Sequence, residues 1–556
     1  MSRPALCALL VGTIGLAACA PGAGLKTPNA AAGPGLPEGA PRAPLAWADF
    51  SPATFAKAKA AHKFIVLDGS AEWCHWCHVM EATTYHDPTV AAILAEHFVA
   101  VKVDIDARPD IGERYGDWGW PATVIFSPDA QEIGKYRGYI APNDFVDILK
   151  EVVATGAHAA GAEKIRTTPL VAPRGKLTDA ELSYIERDTE LSLDEYYDDE
   201  QGGWGRSQKA PIYGDNQWAL VRAAQGDKVM RERVLFTLAQ QNGVIDPVWG
   251  GVYQYSVGHD WTKPHFEKLM PFEAGALENY ATAYALTGDP RWLLTAHGVR
   301  KYLEGFLLSK EGGFYASQDA DLNAHDPEKP FLSGHEFYAL DDAGRRARGI
   351  PRVDSHEYGH ENGLAIAAYV ALYEATAKAG TPDAGVLATA KRAADRILAT
   401  HLSAVRGGGI AHDADPGAHV LHLADNAAFG YALMRLFEVT HDGKYRDAAD
   451  KIVSLFEQEL LDPSTGALFG STKDPDAVGV FSQRRVPFEE NVMAVRLCVK
   501  LALVGREERR LAYVSLAERV LEGVARPEQI RGQGRMIGGF LLALEEVRHL
   551  RLPKAP

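Results

Sequence analysis

The sequence of 556 residues predicts a multidomain protein, α/β plus all-α: an α/β unit of about a hundred residues followed by a longer region of stacked helical hairpins. Three observations carry this expectation. The chain exceeds what one hydrophobic core usually serves. Strand-like and helix-like patterns alternate over residues 46–158. Beyond residue 160 strand patterns nearly vanish, and amphipathic helical patterns recur in pairs.

The first residues read as an export signal, with Arg3 ahead of an apolar stretch over 5–16 that is too short to span a bilayer. It ends in Leu16-Ala17-Ala18-Cys19, which resembles a bacterial lipobox and implies cleavage before Cys19 and lipid attachment to it. An ordinary signal peptide cut at the nearby Ala-x-Ala site is the alternative. Residues 1–18 are thus expected to be a lipoprotein-type signal peptide. Residues 19–45, dominated by Ala, Pro and Gly, are expected to be a flexible tether. The expected location is the periplasmic side of a bacterial membrane, held there by the N-terminal lipid only.

In the α/β unit an apolar strand is expected at 64–67, helical stretches at 79–86 and 88–97, and a strand at 98–104. Strands at 122–126 and about 134–139 and a helix at 143–155 complete it. A polar linker over 161–180 leads to helices at 272–286, 291–307, 363–379, 385–401, 427–439, 445–460, 490–503 and 508–524. Glycine-rich turns punctuate them at Gly202-Gly203-Trp204, Gly250-Gly251-Val252, Gly312-Gly313-Phe314, Gly408-Gly409-Ile410 and Gly466-Ala467-Leu468. Repeated hairpins must stack to bury their faces, in an open solenoid or a closed ring, and a toroid of about six hairpins fits the length better.

Asp and Glu outnumber Lys and Arg 73 to 58, giving a net charge of -15. No basic block could follow a phosphate backbone, so nucleic acid is not an expected partner. Of five cysteines, Cys7 lies in the signal and Cys19 at the lipid site, leaving Cys74, Cys77 and Cys498. That is no disulfide framework. Cys498 sits in an apolar helical pattern and reads as a small buried hydrophobe.

Chemistry concentrates in Trp73-Cys74-His75-Trp76-Cys77-His78, between an apolar strand and a helical segment. Two cysteines two residues apart can close a reversible disulfide, and a helix N-terminus favours thiolate. Cys74 is the candidate nucleophile and Cys77 its resolving partner. Three rivals remain at this point. C-x-x-C-H is also a haem-attachment pattern, Cys74, Cys77, His75 and His78 could be offered to a metal, and the pair could be inert. The metal reading is disfavoured because neighbours on one helix turn do not converge on one point, and no metal or cofactor is expected.

The flanks agree with a thioredoxin-like site: Asp68 ends the strand six residues before Cys74, Ala71-Glu72-Trp73-Cys74 resembles the thioredoxin nucleophile's surroundings, and Gly119-Trp120-Pro121-Ala122-Thr123 precedes a strand. By that resemblance Asp68 handles the resolving thiol's proton, and Pro121 is the cis-proline that faces the cysteines and aligns an extended partner. Together with Val103-Asp104-Ile105-Asp106-Ala107-Arg108-Pro109-Asp110, Pro264-His265-Phe266-Glu267-Lys268 and Ser317-Gln318-Asp319-Ala320-Asp321, these motifs resemble the spermatogenesis-associated protein 20-like family. That resemblance implies a thioredoxin-like domain over 46–160 joined to an (α/α)6 toroid over 181–556, similar to N-acylglucosamine 2-epimerases and six-hairpin glycosidases. The stretch from Gly202 to Pro211 follows the family pattern only loosely, and an export signal is not typical of the family.

A toroid leaves a funnel, and its rim is expected to gather Tyr253, Trp261, His265, Glu267, Asp319 and Asp321 as a candidate ligand-binding set. Aromatics with carboxylates suit a carbohydrate, by hydrolysis or by proton transfer beside a carbonyl. A structural reading pairs Glu267 with Lys268 and has Asp319 and Asp321 cap the turn after Gly312-Gly313. His360-Glu361-Asn362 and Glu489-Glu490-Asn491 open helices and are expected to cap them. The leading functional expectation is thiol-disulfide exchange through Cys74 and Cys77 with a protein thiol partner held by the toroid. His75 and Trp76, in place of small turn residues, point to an oxidising couple. The alternatives are a carbohydrate-active toroid with an accessory thioredoxin-like domain, or a non-catalytic binding protein.

Overall fold

The computed structural model describes residues 45–116, 119–156, 176–326 and 328–551. The expected signal, Cys19 and nearly all of the tether lie outside the described residues, as does the linker up to residue 175.

The first unit is built on α1 (Pro52–Ala60), β1 (Phe64–Ser70), α2 (His75–Met80), α3 (Pro88–His97), β2 (Phe98–Asp104), α4 (Pro109–Tyr115), β3 (Ala122–Phe126), β4 (Glu132–Arg137) and α5 (Pro142–Thr155). The sheet order is β2-β1-β3-β4, with β2 parallel to β1, and β3 and β4 antiparallel to their neighbours. Alternation along β1 sorts its side chains between two cores. Val66 packs with Leu94, Phe145 and Leu149 of α3 and α5, whereas Ile65 and Leu67 pack with Phe55 of α1 and Ile111 and Tyr115 of α4. A sheet covered by helices on both faces buries β1 from Ile65 onward, which is why its sequence reads as an unbroken apolar run. This is a thioredoxin-like domain.

The second unit begins with α6 (Asp179–Tyr196), α7 (Tyr213–Ala224) and α8 (Lys228–Gln240), then short strands β5 (Tyr255–Ser256), β6 (Pro264–His265) and β7 (Lys268–Leu269). It continues through α9 (Met270–Thr287), α10 (Pro290–Tyr302), β8 (Ser317–Gln318), α11 (Gly334–Tyr338), α12 (Asp342–Arg348) and β9 (Val353–Asp354). The last helices are α13 (Gly359–Lys378), α14 (Ala384–Thr400), α15 (Leu423–Thr440), α16 (Gly443–Leu455), α17 (Phe488–Val504), α18 (Arg510–Val524), α19 (Pro527–Gly532) and α20 (Gly538–Arg551).

Contacts close these helices into a ring. On the inside α7 meets α9, α9 meets α13, α13 meets α15, α15 meets α17, α17 meets α20, and α20 returns to α7. Outside, α8, α10, α14, α16, α18 and α6 pack chiefly on α7, α9, α13, α15, α17 and α20 in turn, and α14, α16 and α18 also touch the next inner helix. Six hairpins therefore form an α/α toroid rather than an open solenoid. Asp215 of α7 locks the closure, accepting the backbone N–H groups of Ile537 and Gly538 at the start of α20.

The asparagines expected to cap helices do something else. Asn362 accepts from Phe314 N at 2.8 Å and donates to Phe314 O, so it pins the preceding glycine-rich turn to the ring. Asn426 grips Ile410 and Asn491 grips Leu468 in the same way. Glu273 replaces the asparagine in one hairpin, accepting from Val252 N, and burial pushes its carboxyl up to about 8 against the pull of Lys268. Gly251 lies beside it at φ +79, where a Cβ would come within 2.6 Å of the Tyr302 ring.

Lys268 does not pair with Glu267. It is fully buried against Asp246 at 2.8 Å, and Asp246 also takes the buried Arg345 at 2.7 Å. Among the described residues no helix is long and apolar enough to cross a membrane.

Candidate functional site at the seam between the two units

The cysteine loop leaves the end of β1 and enters α2, with Cys74 at the N-cap and its Sγ accepting from Cys77 N at 3.2 Å. Cys74 and Cys77 are joined as a disulfide, with Cα atoms 5.2 Å apart. The bond is covered: Cys74 is 3% and Cys77 6% exposed. They pack with Ala71, Trp73 and Ile105 of the first unit and with Leu269 of the toroid, flanked by Trp120 and Phe272. Pro121 follows a cis peptide bond and is buried at the start of β3, beside the end of β1. Apolar residues of the toroid thus cover the disulfide that a partner chain would have to reach.

Asp68 is buried on β1, and Tyr85 donates to its Oδ1 at 3.3 Å. Burial pushes its carboxyl up to about 7, partly offset by Lys102. Cys498 is buried far along the chain, and burial pushes its thiol up, so it is no competing nucleophile.

The toroid answers the cysteine loop with polar groups carried on the segment after β8. Asp321 Oδ1 accepts from Gly334 N at 2.8 Å, and its Oδ2 lies 2.6 Å from His75 Nδ1. Burial would raise Asp321, yet the bonds and charges of His75 and His78 hold it well below the usual carboxylate range. Burial would likewise depress His75, but the bond to Asp321 lifts it above its ordinary value. An imidazolium-carboxylate pair therefore ties the C-x-x-C loop to the ring.

His78 and His325 both direct Nε2 to the carbonyl oxygen of Glu72, at 3.1 and 2.9 Å. Asp319 Oδ2 lies 3.2 Å from His325 Nε2 and 3.9 Å from His78 Nε2, without a hydrogen bond of proper geometry to either. The metal set considered from sequence does not form, since the cysteines are bonded to each other and His75 turns to Asp321. His78, Asp319 and His325 instead make a group whose ligand atoms lie within 4.8 Å of one another. Asp319 and Asp321 do not cap the turn after Gly312-Gly313; Asp319 Oδ1 accepts from Asp321 N.

The expected funnel set splits. Glu267 is buried with Oε2 unpartnered, and its charge acts on His75. His265 stacks on Tyr255 and stands 3.9 Å from Glu267. These two join Asp319 and Asp321 at the seam. Tyr253 does not, being buried among Phe266, Tyr338 and Lys268. Trp261 donates to Gln201 O and covers the buried Lys209, a structural position.

A second group, of which sequence reasoning singles out only His360, Glu361 and Glu490 and those as helix caps, lies where the inner helices begin. His412 lies 2.9 Å from Asp425 Oδ1 through Nδ1 and 2.7 Å from Asp106 O through Nε2. Burial would lower His412, but Asp425 carries it up to about 9, and it donates both protons. Asp106 accepts from Trp73 Nε1 at 2.6 Å, so this group also reaches the cysteine loop. His360 is lifted to about 8 by Glu361 against burial, and Glu361 keeps one unpartnered oxygen. Burial pushes Glu490 up to about 7. The one local signal is an acid in the first turn of α13, α15 and α17; the capping expectation absorbed those of α13 and α17, and that of α15, Asp425, was not singled out.

Comparison with known proteins finds similarity to the following. Residues 38–162 match the thioredoxin-like DsbH family, described as "Protein of unknown function, DUF255". Spermatogenesis-associated protein 20 of Homo sapiens is 28% identical over 52% of this chain and 40% of its own length. An uncharacterized protein of Caenorhabditis elegans is 30% identical over 50% of this chain and 42% of its own. The chain thus spans less than half the length of these relatives. A crystal structure of D-mannose isomerase superposes with a TM-score of 0.49 at 12% identity, covering 67% of this chain and 98% of that one.

Proposed function

As a homologue of spermatogenesis-associated protein 20 that joins a thioredoxin-like domain to a helical toroid, this protein is, we propose, a thiol-disulfide oxidoreductase whose redox loop works inside the seam. The observation that carries the reading is the Cys74–Cys77 disulfide at the N-cap of α2, just after the strand that bears the buried Asp68. In the reduced form the Cys74 thiolate attacks one sulfur of a substrate disulfide, forming a mixed disulfide and releasing the other sulfur as thiolate. Asp68 takes the Cys77 proton; Cys77 then attacks Cys74 Sγ, closing the pair and releasing the second substrate thiol. Two electrons pass from the protein dithiol to the substrate disulfide, and the reverse sequence oxidises a substrate dithiol.

The covered sulfurs favour a small thiol or disulfide compound, or a partner admitted when the seam opens, over a chain docked along Pro121. A redox titration with Cys74→Ser as control tests the reading. Export and lipid attachment belong to the same proposal, supported by Leu16-Ala17-Ala18-Cys19. A Cys19→Ser variant is expected to leave the membrane fraction, and one that still sediments with membranes removes the tether.

A second reading, proton transfer on a carbohydrate, is favoured by the acid and histidine groups at His360, Glu361, His412 and Asp425. It predicts turnover on a sugar panel that survives Cys74→Ser and is lost in Glu361→Gln. No turnover in the wild-type chain removes it.

A further inference from the structure

Four donor atoms converge where the two units meet: Nε2 of His78, Nε2 of His325, Oδ2 of Asp319 and the carbonyl oxygen of Glu72. Their neighbouring separations are 3.1, 2.9, 3.2 and 3.9 Å. Tetrahedral zinc with bonds of about 2.0–2.1 Å sets its ligand atoms about 3.3 Å apart, and these four of the six separations lie within about 0.6 Å of that edge.

The polar bookkeeping is poor without a cation. One carbonyl takes both imidazoles, while the carboxylate oxygen of Asp319, a residue 2% exposed, is left with ion pairs of poor hydrogen-bond geometry to His325 and His78, and His78 Nδ1 has only Asp321 Oδ2 at 3.7 Å. Buried polar atoms are seldom left so. A cation between the four would neutralise Asp319 and turn both Nε2 lone pairs inward. His78 would then carry its proton on Nδ1, which faces Asp321 Oδ2 at 3.7 Å, the carboxylate partner that metal-bound histidines usually have.

We propose that His78, His325, Asp319 and the Glu72 carbonyl form a divalent transition-metal site, of zinc type, that staples the thioredoxin-like domain to the toroid. Nitrogen and oxygen donors in a four-fold set suit zinc better than calcium or magnesium, which take oxygen shells. The site spans both units, with Glu72 and His78 on the cysteine loop and Asp319 and His325 on the ring. Occupancy therefore holds the cover over the disulfide, whether or not the cysteines cycle.

The test uses the full chain with Cys74 and Cys77 oxidised, so that no thiolate from the pair can bind the metal. Zinc is titrated against a competing chelator, and cobalt(II) serves as the spectroscopic probe. One zinc per chain and the visible bands of four-coordinate cobalt are expected, with affinity weakened at least about tenfold in His325→Gln and in His78→Gln. His325 is partly exposed, and its variant, checked by circular dichroism, separates lost ligation from lost folding. Binding below one equivalent, or binding unchanged in both variants, overturns the site. Neither result bears on the redox titration, so the two proposals fail separately.

Discussion

Cys74→Ser is expected to abolish a reversible two-electron transition that the wild-type chain shows in glutathione buffers of graded poise. The readout is intact mass after thiol trapping, where full reduction adds two alkyl groups relative to the oxidised chain. Cys498 does not confuse the count under native conditions, because it is 1% exposed and burial disfavours its thiolate. Cys77→Ser should differ in kind. It keeps the nucleophile and removes the resolving thiol, so it should accumulate a mixed disulfide with glutathione on Cys74. With Cys74 3% and Cys77 6% exposed, exchange must wait for the seam to open, and its rate should level off as glutathione rises. Two thiols that never pair at any poise would end the redox reading and leave the ring as the place to search.

What could be read in advance was what is local in the chain. The strand 98–104 and the helix 88–97 were legible because each is short, regular and bounded by its own signals, here Asp87 and Pro88 at the start of α3. The cysteine loop was legible for the same reason. Four ring helices were not anticipated. The outer helix α6 buries Leu182, Thr189 and Leu193 with Ile185 packed partly against the core, and α8 buries Val234, Thr237 and Leu238 with Met230 and Leu235 beside them, narrow stripes set among many charged neighbours. The inner helix α7 buries Asp215 and Asn216, polar residues that break the pattern but hold the ring closed. The first turn of α20 is glycine-rich and masks its start.

The seam was illegible because nothing local encodes it. His75 meets Asp321 across 246 positions, Glu72 meets His325 across 253, and Asp106 meets His412 across 306. His75 and Asp321 each stand out in their own motif, but nothing in either motif names the other as its partner; only closure of the ring against the thioredoxin-like domain brings them into contact. Tyr253 and Trp261 erred the other way, since large aromatics near glycine turns suit a core as well as a binding rim.

Asp68→Asn should slow resolution while making the protein more stable above neutral pH, and the combination distinguishes a functional carboxylate from a structural one. Burial raises the folded-state value from 3.8 to about 7, so the folded protein holds this proton more tightly than the unfolded chain. Its contribution to stability is full below about pH 4 and is lost as pH rises toward 7. A shift of that size corresponds to about 4 kcal/mol at most, which a neutral asparagine would no longer forfeit at pH 8. Denaturant midpoints of the two proteins should therefore diverge upward through that window. In the rate of mixed-disulfide resolution the wild type should rise as pH passes about 7, where Asp68 becomes able to accept the Cys77 proton. Asp68→Asn should lose this step and run about a hundredfold slower or worse. A variant that is stabilised but resolves as fast as wild type would show that Asp68 burdens the fold without serving the cysteines.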